Sequence, residues 1–292
     1  MIHHFSRILL CFALLSSSWS LAQQDYSWLK LKPYRTAFLS EKVKETSGLT
    51  FHKGELLTLN DGGNPSDLYS LDTLSGKILK EYPTGLKNID FEALASLGDT
   101  ILIGDFGNNT GHREDLTIYA LTNDKVSASY LFSFKEQSIK DTERFKHDFD
   151  LESMAVIEGE INLFTKERKS LGVARYLVDN SKAGTKQELT SLERYNLGYM
   201  ATDAYYYEGD LYMVGYTWKM EVFLSIFQAD EKGMFFSKSP RKYYLGLSSS
   251  VGQVEGIAVS DRGVYISAEN FQVKFLKRKQ SFYFIPKRIL KD

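Results

Sequence analysis

Five times along its 292 residues the chain repeats one design: a small or acidic residue, an apolar run, a tight polar turn, a second apolar run and a polar exit. The copies are "SGLTFHKGELLTLND" from Ser47, "EALASLGDTILIGD" from Glu92, "ESMAVIEGEINLFTKE" from Glu152, "DAYYYEGDLYMVGY" from Asp203 and "EGIAVSDRGVYISAEN" from Glu255. Their starts lie 45, 60, 51 and 52 residues apart. Within each copy apolar residues alternate with period two, and Gly, Asn and Asp punctuate the runs, which is the pattern of strands joined by tight turns. Third strands follow as "DLYSLD", "LTIYAL", "VARYLV", "VFLSIF" and "SFYFIP". Fourth strands follow as "KILKEY", "ASYLFSF", "TSLERYN" and "RKYYLG".

Four short strands in about 50 residues make one blade of a β-propeller. The expected fold is therefore all-β, a five-bladed β-propeller with blades starting near 47, 92, 152, 203 and 255; six blades is the alternative. The fifth unit runs out after its third strand, while "YRTAFLS" at residues 34–40 belongs to no unit. Supplying the missing outer strand of the last blade would close the ring and leave no unpaired radial edge.

Residues 1–22 read as a signal peptide. One cation, Arg7, precedes the apolar "ILLCFALL", and small residues mark a cut after Ala22. The apolar run is too short to span a bilayer, so the expectation is a secreted or periplasmic protein, not an integral membrane protein. Residues 23–292 then form a single propeller domain, long enough to bury a large core. The only cysteine, Cys11, lies in the leader, which leaves the remainder without disulfides, thiolate metal ligands or a cysteine nucleophile. The formal charge of −1 becomes −2 without Arg7, and a near-neutral chain argues against a nucleic-acid partner. The 18 Tyr and 19 Phe against 5 Pro fit a chain made mostly of strands.

In a propeller blade the first strand lines the channel and the second runs antiparallel beside it. The entrance of the first and the exit of the second therefore share one face. Ser47, Glu92, Glu152, Asp203 and Glu255 are expected to ring one mouth of the channel. Asn60 or Asp61, Asp105, Lys166 or Glu167, Tyr216, and Glu269 or Asn270 are expected beside them. The loops "NDGGNPSD" and "DFGNNTGHRED" should rise around the same mouth.

Carboxylates crowded in a pore raise one another's pKa or recruit a cation. With oxygen donors only and few histidines, Ca²⁺ suits such a ring better than zinc. Glu92, Glu152 and Glu255 are the candidate metal ligands. Asp61, Asp105, Asp203, Tyr216 and Glu269 are candidate ligand-binding residues, and Glu92, Glu152, Glu255 and Lys166 are candidate catalytic groups. A Lys or Arg from "TKER" would serve equally to neutralise the ring. A purely structural role, with acids accepting backbone amides and tying blades together, is the competing explanation for a repeated acid. Catalysis needs unlike residues in unlike roles, so the departures from the repeat (Ser47, Lys166 with Glu167, and Tyr216) carry the most functional information. The basic segments "FLKRKQ" and "IPKRILKD" read as a solvated loop and tail.

Three of these segments, "NDGGN" (60–64), "DFEALA" (90–95) and "GDFGNN" (104–109), together with "DLESMAV", "LFTKE", "TDA" and "VEGIAV", resemble the motifs of a family of exported bacterial propellers of uncharacterised function. More distantly, "DFEALA" and "VEGIAV" are similar to strand starts in phytase-like and gluconolactonase-type propellers. That resemblance implies an acidic functional face, often with Ca²⁺, acting on phosphoesters or lactones. No complete catalytic set of either group aligns. Two functional expectations follow: a propeller that binds a cation or small polar ligand at an acidic mouth, or a Ca²⁺-dependent hydrolase of a phosphoester, lactone or glycosidic bond. The sequence specifies neither a substrate nor an oligomeric state.

Overall fold

A computed structural model describes residues 26–138, 142–273 and 276–290, so the segment read as a signal peptide lies outside the described residues. Five small antiparallel sheets follow one another along the chain. Blade one comprises Thr46–His52, Glu55–Asn60, Leu68–Leu71 and Ile78–Tyr82. Blade two comprises Phe91–Leu97, Thr100–Asp105, Leu116–Thr122 and Lys125–Phe134; blade three comprises Asp150–Ile157, Glu160–Lys166, Val173–Val178 and Glu193–Tyr195. Blade four comprises Met200–Tyr207, Asp210–Tyr216, Glu221–Gln228 and Arg241–Leu247. Blade five comprises Gln253–Ser260, Gly263–Glu269 and Ser281–Pro286, and the N-terminal strand Arg35–Phe38 completes it.

The inner strands touch in the order one–two–three–four–five and five touches one again, so the ring is closed. This is the five-bladed propeller expected from the repeat. The closing strand is also where the sequence placed it: Ala37 and Phe38 pair antiparallel with Phe282 and Ser281. Thr36 Oγ1 donates to the Phe282 carbonyl. Two parallel additions were not foreseen. Ser27–Trp28 pairs with Tyr243 and Tyr244 on blade four, and Gln187–Leu189 extends the edge of blade two before the chain returns to blade three.

Alternation explains the core. Each blade presents apolar side chains from both faces to its neighbours, and the buried hydrophobic residues fall into five clusters, one for each blade interface. Leu57, Leu59 and Leu68, for example, meet Phe91, Leu94 and Ile103 between blades one and two. The turns linking first and second strands place Lys53–Gly54, Glu158–Gly159 and Glu208–Gly209 at positive φ, the hairpin geometry whose twist matches the strands.

One irregularity recurs in every blade. The ladder between first and second strands skips a residue: Gly48 between Ser47 and Leu49, Glu92 between Phe91 and Ala93, and Glu152 between Leu151 and Ser153. It likewise skips Thr202 between Ala201 and Asp203, and Glu255 between Val254 and Gly256. A bulge leaves its extra residue unpaired and re-aims the side chain. The three glutamates of the repeat are thus bulge residues, set at equivalent heights around one axis.

Closure by Arg35–Phe38 has a testable consequence. A chain starting after Ser40 leaves Ser281–Pro286 as a free edge. It should unfold at lower temperature and self-associate, as read by calorimetry and light scattering, and an unchanged melting temperature would refute the role assigned to this strand.

Candidate functional site

All five blades contribute to an axial cavity of about 220 Å³ lined by Ser47 and Asp61, Glu92 and Asn109, Glu152, Lys166 and Arg168, Tyr216, and Gln253, Glu255 and Glu269. Glu92, Glu152 and Glu255 are buried, as is Lys166. Five carboxylates therefore share a small desolvated space with two cations.

The cavity has two unlike halves. In one, Lys166 Nζ is ion-paired with Glu152, and Arg168 Nη2 bridges Asp150 Oδ2 (2.6 Å) and Glu152 Oε1 (3.2 Å). Lys166 Nζ also donates to Tyr216 (3.3 Å), and the Tyr216 hydroxyl donates to Glu255 Oε1 (3.2 Å). Gln253 Nε2 donates to Glu255 (2.8 Å) and Glu269 (2.6 Å). Each acid here has a cation or a donor, as buried charges require.

In the other half the lining residues Asp61 and Glu92 meet Asp90 behind them, and each of the three offers a carboxylate oxygen within 4.8 Å of the others. Among the described residues no Lys or Arg pairs with any of them. Burial, with the Asp90 charge next in importance, pushes Asp61 up to about 7. Burial and the charge of Asp150 push Asp90 up to about 6. Glu92 lies well above its ordinary value through burial and through Asp61, Glu152 and Asp90. Burial and mutual repulsion thus favour the protonated form of these carboxyls.

The surrounding loops are shaped to these acids. A Cβ on Gly107 would sit 2.5 Å from Glu92 Oε1 and overlap the Asp90 carboxylate; one on Gly62 would sit 2.5 Å from Asp90 Oδ1. Glycine in "NDGGN" and "GDFGNN" is thus needed for close approach to the carboxylates.

Asp61, Glu92, Glu152, Lys166, Tyr216, Glu255 and Glu269 all line the cavity as the sequence suggested, and so does Ser47. The structure places two other candidates elsewhere. Asp105 pairs with Phe91, one position before the bulge, where the other blades carry Leu59, Thr165, Gly215 and Ala268. The cavity-facing position of that strand falls on Lys166, Tyr216 and Glu269, opposite residues two before the bulge. One residue of offset turns a strand side chain to the other face. Asp105 accordingly accepts the Asp90 amide (3.0 Å) and pairs with Arg113 (3.2 Å).

Asp203 is offset in the same way, one residue past the bulge at Thr202. Its buried carboxylate accepts the amides of Ile257 (2.7 Å), Ala204 (2.8 Å) and Leu49 (3.3 Å). Leu49 belongs to blade one, which does not adjoin blade four, so Asp203 ties blades across the axis. For this residue the structural explanation of the repeated acids holds.

Asp90, Arg168, Asn109 and Gln253 were not singled out as site residues. The first sits two positions before a bulge, a height that only the register makes visible. The second was present in the sequence only as a possible neutraliser within "TKER".

No family model matches the chain, and no curated protein matches it. Among solved structures it is similar to the glutaminyl cyclase of Myxococcus xanthus, at 12% identity and TM-score 0.48 over 86% of this chain and 94% of that one. It is also similar to a putative oxidoreductase (glucose dehydrogenase) from Thermus thermophilus, at 13% identity and TM-score 0.43 over 88% and 86%. A luciferin-regenerating enzyme shares 11% identity, with TM-score 0.41 over 82% and 75%. At these identities no residue role passes from them to this chain. Among the described residues no helix is long and apolar enough to cross a membrane.

Two measurements test the division of roles. Asp203→Ala strands three buried amides, each costing about 1–3 kcal/mol. It should lower stability by at least about 3 kcal/mol, with Asp203→Asn losing less; a change below about 1 kcal/mol in chemical denaturation would contradict the cross-axis tie. Asp61 and Asp90 hold protons more tightly folded than unfolded. Their contribution to stability is complete below the ordinary carboxylate range and is lost as pH rises through about 6 and about 7. With chelator present, the melting temperature should fall between pH 5 and pH 8 by more in the wild type than in Asp61→Asn/Asp90→Asn.

Proposed function

We propose that this propeller binds a divalent cation, with Ca²⁺ the best match, at Asp61, Asp90 and Glu92, and that the rest of the axial cavity receives a small polar ligand. The observation that carries the reading is the convergence of three carboxylates within 4.8 Å with no cationic partner among the described residues. Hard oxygen donors on loops and at a bulge suit Ca²⁺, which tolerates irregular geometry and takes 6–8 oxygens. The protein's three carboxylates leave further positions for water or for oxygens of a ligand. At about 220 Å³ the cavity is below the range of pockets for drug-sized molecules, which favours a hydrated ion with a small polar group.

We further propose that the chain is exported, as its first 22 residues suggest, and works where calcium is plentiful. An affinity of about 10⁻⁴–10⁻³ M, as in extracellular modules, then suffices.

A second reading, a cation-dependent hydrolase of a phosphoester, lactone or glycosidic bond, is favoured by one observation. Beside the proposed cation lie groups of unlike character: Glu255 bonded to Tyr216, and Lys166 bonded to both Tyr216 and Glu152. Differently tuned neighbours are what acid–base chemistry uses. Glu255 is the better test residue, because removing the Glu152 charge leaves Lys166 without its ion-pair partner in the core.

The cation reading predicts that millimolar Ca²⁺, added after chelation at pH 8, raises the melting temperature of the wild type. Asp61→Asn should abolish the shift, and absence of a shift in the wild type would eliminate the site. The hydrolase reading predicts chelator-sensitive turnover on phosphate monoesters, lactones or aryl glycosides that Glu255→Gln removes while the calcium shift persists.

A further inference from the structure

Beside the axial cavity lies a second cleft of about 560 Å³, lined by Glu143, Phe145, Lys146, Arg168, Lys169 and Trp218. Arg168 is the wall common to both. The cleft's aromatic rings face solvent: Trp218 is 58% exposed and Phe145 39%. Neither is loosely held. The Trp218 indole N–H donates to the Arg168 carbonyl (3.1 Å), which fixes the ring and uses its only donor, leaving its face to a ligand. The Phe145 ring packs on the guanidinium groups of Arg144 (4.6 Å) and Arg168 (5.3 Å). Phe145 has φ +59, a left-handed backbone that costs a bulky residue about 1–2 kcal/mol. Strain of this kind concentrates where the chain positions a group for function, and an exposed aromatic pair in a cleft is a mark of a binding groove.

Charge decides what fits. Lys146 is paired with Glu143 (2.9 Å), Arg168 is engaged by Asp150 and Glu152, and Lys169 forms no ion pair among the described residues. The cleft is therefore net positive, next to a cavity that is net negative and polar throughout. A ligand spanning both needs a ring with an apolar face for Trp218 and an anionic group for Lys169. It also needs a hydroxyl-rich remainder to donate to the carboxylates and amides beyond. A purely aromatic acid would set apolar surface against those carboxylates without hydrogen bonds, at a desolvation cost.

We propose that this cleft is the binding subsite for an acidic saccharide, stacked on Trp218 and oriented by Lys169, with its hydroxyls directed past Arg168 into the axial cavity. The subsite does not depend on the cation: its residues are distinct from Asp61, Asp90 and Glu92.

Calorimetric titration with trigalacturonate, maltotriose and benzoate, each in EDTA and in Ca²⁺, tests this. Trigalacturonate should bind and change the Trp fluorescence. Trp218→Ala should weaken it about two- to tenfold, the worth of an aromatic contact. Lys169→Gln should weaken it and flatten its salt dependence. Both positions are exposed, so melting temperatures should be unchanged. Maltotriose binding as tightly, benzoate binding in place of trigalacturonate, or affinity indifferent to Trp218→Ala would overturn the proposal. Absent calcium stabilisation removes the cation reading alone, and absent trigalacturonate binding under both conditions removes this one alone.

Discussion

A single extra residue in each inner strand organises everything at the centre of this molecule. In a regular ladder, side chains alternate between the two faces of the blade, and both faces are occupied by the apolar contacts that hold neighbouring blades together. A residue outside the ladder escapes that alternation. Placed at one height in five blades, the bulge gives the fold a ring of positions that take no part in the interblade core. Three of the five carry glutamate, and their charges are tolerable only because Lys166, Tyr216 and Gln253 at strand ends and Arg168 in the loop after Lys166 meet some of them. Of the remaining two, Gly48 lets blades one and two pack closely, a Cβ there falling 2.8 Å from the Leu94 amide nitrogen, and Thr202 Oγ1 donates to the Val254 carbonyl (2.7 Å) of the next blade.

The uneven compensation follows from the departures in the repeat. Blade three contributes both cations of the cavity, and blades four and five contribute the Tyr216 hydroxyl and the Gln253 amide that meet Glu255. Blades one and two contribute acids with glycines packed against them. A ring of identical units would spread charge evenly; this one concentrates it on the side of Asp61, Asp90 and Glu92. Burial and mutual repulsion then raise the pKa values of these three adjacent carboxyls.

Much of the fold was legible because strand period and hairpin turns are local signals. Each first, second and third strand lies where alternation and the Gly-bearing turns put it, and the closing strand was found because residues 34–40 were left over. The site was legible to within one residue. Aligning the units on their charged residues set Ser47 and Asp203 level with Glu92, yet the bulge falls at Gly48 and Thr202, so Asp203 points to backbone amides instead of the cavity. Asp105 failed for the same reason on the partner strand. Alternation makes an error of one position an error of face, and nothing in a single strand announces where its bulge lies. The Asp61–Asp90–Glu92 group escaped because it joins a loop of blade one to the bulged entrance of blade two, a proximity set by tertiary packing.

Arg168 connects the parts that otherwise look separate. Its side chain is held by Asp150 and Glu152 below and by Asn109 from the neighbouring blade, while its carbonyl anchors the Trp218 indole. The same residue thus neutralises an acid of the axial cavity, bridges two blades and fixes an exposed aromatic face. A ligand that displaced water from the cleft would strengthen the Arg168 ion pairs by lowering the local dielectric. That change would reach Glu152 and, through Lys166 and Tyr216, Glu255 on the far side of the cavity. Cleft and cavity thus share one hydrogen-bonded chain, Arg168–Glu152–Lys166–Tyr216–Glu255, none of whose members belongs to the Asp61–Asp90–Glu92 group.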